Sequence, residues 1–285
     1  MIDLHTHSTA SDGTDTPAEL VARAASLNLE ALAITDHDTL QGSDEALPLA
    51  AAAGLRFVQG LELSTRRIEE PDPAARSVHM LGYFFQPPDP GFRAWLDSLK
   101  QRRRSRNHAM AQRLQSLGMD VSLEEAEAEG SNITGRPHFA AILIRKGYVR
   151  SYSEAFRKLL GELCPAYVER EDPTPQEGIA RIRQAGGVAV LAHAVRLNKS
   201  GSEEQDVLRA LVDAGLGGIE VYHSDHDERS RSRYSQFAEK YGLAVTGGSD
   251  YHGAHKPDIL LGRGRRAQRP PLSLLDGLRR VAGHR

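Results

Sequence analysis

Cysteine occurs once in the 285 residues, as Cys164, which excludes an internal disulfide framework and a metal site built on thiolates. A lone cysteine reads as a small buried residue in a reduced, intracellular setting. An excess of charge of one sign is also missing. With 36 Lys and Arg against 38 Asp and Glu, the formal charge is -2, so no global basic field draws the chain to nucleic acid. No apolar run approaches the roughly 20 residues that span a bilayer. Met1-Ile2-Asp3-Leu4-His5 offers neither the basic nor the apolar segment of a secretory leader. The expected location is the cytoplasm, with no membrane contact and no obligate protein partner.

What the chain does have is alternation. Its length and 40% apolar content allow one large α/β barrel-like domain or two ordinary ones. Ile2-Asp3-Leu4 reads as a brief strand, followed by a helix over Ala18 to Leu27 that Thr16-Pro17 opens. Strand Ala31 to Ile34, a helix over Ser43 to Ala53 and strand Arg56 to Val58 come next, with Glu62 just past the third strand. Val78 to Phe85, Val188 to Leu191, Ile219 to Val221 and Ala244 to Thr246 supply four more strands. Helical segments ending at Gly215 and Gly242 precede the last two. Alternation of this kind predicts a mainly parallel sheet covered by helices. Seven strands point to a closed or nearly closed (β/α) barrel, although periodicity alone leaves an open sheet equally matched.

A helical segment interrupts the pattern from Phe92 to Val168. It carries a basic stretch from Lys100 to Arg113 and an acidic run from Ser122 to Glu129. Pro87-Pro88-Asp89-Pro90 and Pro173-Thr174-Pro175 punctuate its ends. The expected organisation is therefore a barrel made of 1–91 and 169–285 with an inserted helical subdomain at 92–168.

Histidine carries the chemistry. Of 12 histidines, seven fall within or just after an expected strand: His5 and His7, His37, His79, His193, His223 and His252. Asp36, Glu62 and Asp250 lie in the same kind of position. Barrel enzymes build their sites from the carboxyl ends of several strands, so these residues would converge on one rim. His5 and His7 share a face, because alternate side chains on an extended segment point the same way. Imidazole and carboxylate without thiolate suit Zn, Mn or Fe(II). Two or three such ions can activate water and clamp a phosphoryl group.

Asp3-Leu4-His5-Thr6-His7, Ser11-Asp12-Gly13, Thr35-Asp36-His37-Asp38, Gly60-Leu61-Glu62, Ala192-His193 and Gly248-Ser249-Asp250-Tyr251-His252 together resemble the motifs of the polymerase and histidinol phosphatase (PHP) family. The resemblance covers about two-thirds of the chain. It implies a distorted (β/α)7 barrel of amidohydrolase-like type. It also implies metal ligation by His5, His7, Asp12, His37, Glu62, His79, His193, Asp250 and His252, usually around three ions. Mn2+ is the first choice, with Zn2+, Fe2+ or Mg2+ as alternatives. Asp36 is expected to orient a histidine rather than ligate, since metal-bound imidazoles need such partners.

Thr134-Gly135-Arg136-Pro137-His138 resembles a Thr-Arg-Pro-His signature of one branch, with Gly135 as an extra residue. That branch includes nucleoside 3',5'-bisphosphate phosphatases and a 5'-to-3' exoribonuclease acting on short RNAs. Arg136 offers a planar fork to phosphate, and Pro137 suits a helix start whose amino end favours anions. Asn107, Arg136, His138 and His223 are the substrate-binding candidates, with Lys199 and Lys256 as weaker loop candidates. His226 is expected to face solvent. For catalysis, Asp250 would accept a proton, and His193 or His223 would assist the leaving alcohol. The expected reaction is removal of the 3'-phosphate from a nucleoside 3',5'-bisphosphate. Alternatives are 5'-to-3' cleavage of short single-stranded RNA, histidinol phosphate hydrolysis, or a non-catalytic module.

Overall fold

The computed structural model describes residues 1–67, 69–72, 76–85, 90–129, 133–265 and 268–283. Strand β1 (Ile2–Asp3) is followed by α1 (Pro17–Ser26), β2 (Ala31–Ile34), α2 (Gln41–Ala52), β3 (Arg56–Arg66) and β4 (Ser77–Tyr83). Four helices come next: α3 (Pro90–Ser116), α4 (Leu123–Glu129), α5 (Arg136–Arg145) and α6 (Tyr152–Ala155). The alternation then resumes with α7 (Pro175–Gln184), β5 (Val188–Leu191), α8 (Gly201–Asp213) and β6 (Gly218–Tyr222), and ends with α9 (Glu228–Tyr241), β7 (Ala244–Gly247) and α10 (Ser273–Val281). Contacts divide the chain into two compact units, Met1–Arg93 with Pro173–Arg285, and Ala94–Asp172. The Pro87-Pro88-Asp89 turn signal lies outside the described residues. Among those described, no helix is long and apolar enough to cross a membrane.

In the first unit, seven strands form one sheet in the order β1 to β7. The ends meet through backbone bonds. Leu4 N–H donates to Gly247 O at 3.2 Å, Asp250 N–H to His5 O at 2.9 Å and His7 N–H to Tyr251 O at 2.9 Å. The result is a nearly closed barrel. β2 and β5 are buried along their whole length, as strands covered on both faces must be. Thr16 starts α1 by a reciprocal cap. Its hydroxyl accepts the Glu19 N–H, while the Glu19 carboxylate accepts the Thr16 N–H at 2.8 Å. Thr174 and Glu177 repeat the device at α7.

The sheet is mainly parallel, as expected, with β4 the exception: it pairs antiparallel with both β3 and β5. β3 is also much longer than Arg56 to Val58. Its first residues pair parallel with β2, and Gly60 to Arg66 then turn to antiparallel pairing with β4. Glu62 therefore lies inside a strand rather than past one. The reversal has a consequence for the site. Because β4 runs backwards, His79 near its start, and not a residue at its end, reaches the level of Glu62. Glu62 pairs with Leu81 and Ser64 with His79, so Glu62 and His79 are diagonal neighbours on one face.

The second unit has its own core of Met110, Leu114, Phe139, Leu143 and Leu160, all fully buried. After α6 the chain continues directly into a π-helical turn, Phe156–Leu160. Cys164 is half-exposed rather than buried, with Sγ 3.2 Å from Arg157 O.

Candidate metal centre

Glu62 is the hub. Oε1 lies 2.9 Å from His79 Nδ1 and 2.8 Å from His193 Nε2. Oε2 lies 3.4 Å from His5 Nε2, 3.1 Å from His7 Nε2 and 3.3 Å from His37 Nδ1. Five imidazoles from four segments thus converge on one carboxylate. Donor atoms of His7, Asp12, His37 and His252 lie within 4.8 Å of one another, as do those of His5, His7, Glu62 and Asp250 and those of His37, Glu62 and His79. These groups overlap through His7, His37 and Glu62, as a multi-ion cluster requires. His193 is outside them and touches the cluster through Glu62.

The surrounding hydrogen bonds decide which ring nitrogen faces inward. His5 Nδ1–H donates to Glu220 Oε1 at 2.9 Å, and Glu220 Oε2 accepts the His193 N–H at 2.8 Å. This leaves His5 Nε2 facing Glu62, the carboxylate–imidazole arrangement typical of metal ligands. His252 is fixed likewise, its Nδ1–H donating to Asp250 O at 2.9 Å. Asp36 does not hydrogen-bond a histidine directly. It accepts from Ser8 N–H at 2.7 Å and from the hydroxyls of Ser8 and Ser11 at 2.6 Å each, and Ser11 Oγ lies 3.4 Å from His7 Nδ1. Gly42 is required beside it, because a Cβ there would stand 2.0 Å from Asp36 Oδ2.

His226 is fully buried rather than facing solvent. Its Nδ1–H donates to Val221 O at 2.9 Å, and its Nε2 accepts the Val195 N–H at 3.3 Å. Both nitrogens serve the backbone, so it ties the β6 loop to the β5 loop. Burial holds it neutral, with a pKa of about 4. Glu220 and Arg196 were missed as site residues. Glu220 carried a signal, a lone charge within the apolar strand Ile219-Glu220-Val221. Arg196 carried none, since an arginine in a loop is unremarkable in sequence.

The donors fit a metal cluster on a further observation. His5 Nε2, His7 Nε2, His37 Nδ1 and His223 Nε2 are buried without a hydrogen-bond partner, each a cost of about 1–3 kcal/mol if nothing meets it. The first three belong to the overlapping groups, and His223 forms a further one with His5 and Glu220. Burial disfavours the His7 imidazolium, yet the carboxylates of Asp250 and Glu62, 3.4 and 3.1 Å from Nε2, outweigh it and push its pKa up to about 9. His5 is raised in the same way, against burial, by Glu220 and Glu62. Burial holds His37 down at about 3. A metal ion must therefore expel protons from His5 and His7 at neutral pH. Apparent Mn2+ affinity is expected to rise about tenfold per pH unit for each proton released as pH climbs from 7 toward 9. Calorimetric titration at several pH values checks this, and a pH-independent affinity would contradict it.

The PHP domain model matches residues 3–163, more than half of the chain. The chain belongs to the PHP family. A phosphoribosyl 1,2-cyclic phosphate 1,2-diphosphodiesterase of Eggerthella lenta is 35% identical over 256 residues, covering 88% of this chain and 94% of that one. A 3',5'-nucleoside bisphosphate phosphatase of Chromobacterium violaceum is 32% identical over 253 residues, 88% and 87% of the two chains. A 5'-3' exoribonuclease of Haemophilus influenzae is 32% identical over 250 residues, 88% and 89%. Among solved structures, a metal-dependent phosphoesterase of Bifidobacterium adolescentis superposes with a TM-score of 0.81 at 32% identity, covering 98% and 96%.

Three of the remaining candidates of this PHP protein lie in the helical unit. Asn107 is buried, with Nδ2–H donating to Thr134 O at 2.9 Å and Oδ1 unpartnered. Arg136 opens α5, its guanidinium 5.6 Å from the Phe156 ring centre and 5.7 Å from that of Tyr167. His138 Nδ1 accepts the Gly135 N–H at 2.9 Å, closing the start of the same helix. In the barrel, Lys199 pairs with Glu70 at 3.0 Å and Lys256 with Asp250 at 2.9 Å.

Proposed function

We propose that this PHP-family phosphoesterase removes the 3'-phosphate of nucleoside 3',5'-bisphosphates, leaving nucleoside 5'-monophosphate and phosphate. The observation that carries the reaction class is the convergence of five imidazoles on Glu62. His5, His7, Asp12, His37, Glu62, His79, Asp250 and His252, joined by His193, would hold two or three divalent ions, Mn2+ first. Such ions supply Lewis-acid polarisation of phosphoryl oxygens and lower the pKa of water.

Hydrogen bonding favours His223 over His193 and Asp250 for proton transfer. Asp225 N–H donates to His223 Nδ1 at 3.0 Å, so in the neutral ring Nε2 keeps the proton and has no lone pair for a metal. That N–H is buried without a hydrogen-bond partner. A departing alkoxide would take this proton as the P–O bond breaks. His193 Nε2 is instead held on Glu62.

Substrate choice rests on the helical unit. Burial, then Arg170, Arg103 and Arg136, press the Arg106 guanidinium down to about 9. Cations crowded in this way attract an anion that relieves them. Arg136 and Asn107, with His138 beside them, would hold the 5'-phosphate. Replacing Arg136 by Met is expected to raise KM for adenosine 3',5'-bisphosphate about 10- to 100-fold and to leave p-nitrophenyl phosphate hydrolysis unchanged. An equal loss on both substrates would argue against the 5'-phosphate role. Turnover of a 5'-phosphorylated oligoribonucleotide at the mononucleotide rate would favour an exonuclease.

A further inference from the structure

We propose that Thr14, Asp15 and Tyr251 form a clasp between the loop after β1 and the loop after β7, and that this clasp sets how tightly the outermost ion of the cluster is held. This rests on the metal-centre reading above. The ion in question is the one that His7, Asp12, His37 and His252 would share. Asp12 is the most exposed of the nine ligand candidates, at 30%, so this group lies on the solvent side. Its Oδ1 lies 3.5 Å from His7 Nδ1 and 3.4 Å from His252 Nε2, and its Oδ2 3.7 Å from His37 Nε2. Asp12 and His252 come from different loops. An ion held by both closes one loop on the other, and its affinity depends on how far that ordering exists beforehand.

The ordering is present in bonds that use no ligand side chain. Thr14 N–H donates to His252 O at 3.2 Å, and Ala254 N–H donates to Thr14 Oγ1 at 2.9 Å. Tyr251 O–H donates to Asp15 Oδ2 at 3.0 Å, and Arg23 of α1 holds the same oxygen through Nε–H at 2.9 Å. Asp15 O accepts the Thr9 N–H at 2.9 Å, which closes the Asp12 loop at its base. A Cβ at Gly253 would stand 1.9 Å from Thr14 Oγ1, so the close seat of Thr14 requires glycine there. The Tyr251 ring is buried in one apolar cluster with Leu20, Val21 and Ala24 of α1, while its chain neighbours Asp250 and His252 supply donors to the metal groups. Thr14, Asp15 and Tyr251 belong to none of those groups. They are positioning residues, acting through Asp12 and His252, and removing partners of this kind costs about 10- to 100-fold in metal affinity.

The test follows the metal retained by full-length protein over a series of buffered free Mn2+ concentrations, read by elemental analysis. Wild-type protein should release one ion before the rest. Tyr251→Phe and Thr14→Val should each move that first release to about 10- to 100-fold higher free Mn2+ and leave later release within twofold. Thr14→Ser, which keeps the hydroxyl, should behave as wild type. In protein already carrying Asp12→Ala, which lacks this ion, Tyr251→Phe should change nothing further. A first release within twofold of wild type in both variants would overturn the clasp. So would an equal shift of every ion, the mark of a general loosening of the barrel, or release of all wild-type ions in one step. If Thr14→Val does not fold, Tyr251→Phe decides alone, since it removes a single oxygen. The readout is metal and not turnover, so loaded protein that hydrolyses no phosphomonoester would sink the functional reading and leave the clasp standing.

Discussion

Replacing Glu62 by Gln is expected to lower turnover at least about 10^3-fold, the equivalent of several kcal/mol of Lewis-acid stabilisation, and to reduce bound metal. The amide has the shape of the carboxylate but not its charge. One of its two ends must present N–H groups, either to His79 and His193 or to His5, His7 and His37. Whichever way it turns, donors meet nitrogens that now share a charged acceptor. Burial opposes the charge on Glu62, and the surrounding histidines, His37 and His79 foremost, overcome that and hold its pKa well below the usual range. The carboxylate is therefore ionised where a neutral group would ordinarily be preferred. Metal analysis and kcat on the same preparation check the expectation. A variant with wild-type metal content and turnover would remove Glu62 from the centre of the site.

Replacing Asp3 by Ala should act on the barrel seam instead. Asp3 is fully buried in the short β1. It accepts from Ser249 N–H at 2.9 Å, Ser249 Oγ at 2.6 Å, Gly262 N–H at 2.7 Å and His5 N–H at 3.3 Å. Alanine leaves these donors without a partner. At roughly 1–3 kcal/mol for each unsatisfied buried group, and allowing for relaxation, the loss is about 3–6 kcal/mol. For a chain of this size that is a fall in Tm of about 10 °C. Gly248 limits the relaxation available, because a Cβ there would already stand 2.3 Å from His5 Cβ, so the β7 loop and β1 have no slack between them. Thermal melts in the presence of a chelator separate this effect from metal loss. A shift under about 2 °C would mean that water replaces the carboxylate and the seam closes without it.

Much of this is legible in the sequence. Ala31–Ile34 and Val188–Leu191 have the boundaries their apolar runs predict, since strands buried on both faces leave no room for polar residues. Thr16-Pro17 marks a helix start because a capping hydroxyl and a proline are satisfied there and almost nowhere else in a helix. The histidines stood out because seven of 12 fell at strands, a coincidence that packing does not produce.

The rest depended on pairings that no local window contains. β3 switches from parallel pairing with β2 to antiparallel pairing with β4, and only that reversal puts His79 beside Glu62. His226 looked like a solvent-facing loop histidine, yet it is buried because two backbone groups from different loops, Val221 O and Val195 N–H, need it. Arg196 and Lys256 are 60 residues apart and converge on one oxygen of Asp250.

By itself the sequence determined the residue types at the strand ends and hence the kind of chemistry, because burial and ligand preference act on each residue locally. Only the tertiary structure decided which nitrogen of each imidazole faces the cluster. That choice is made by whichever distant donor or acceptor, such as Glu220 for His5 or the Asp225 N–H for His223, occupies the other side of the ring.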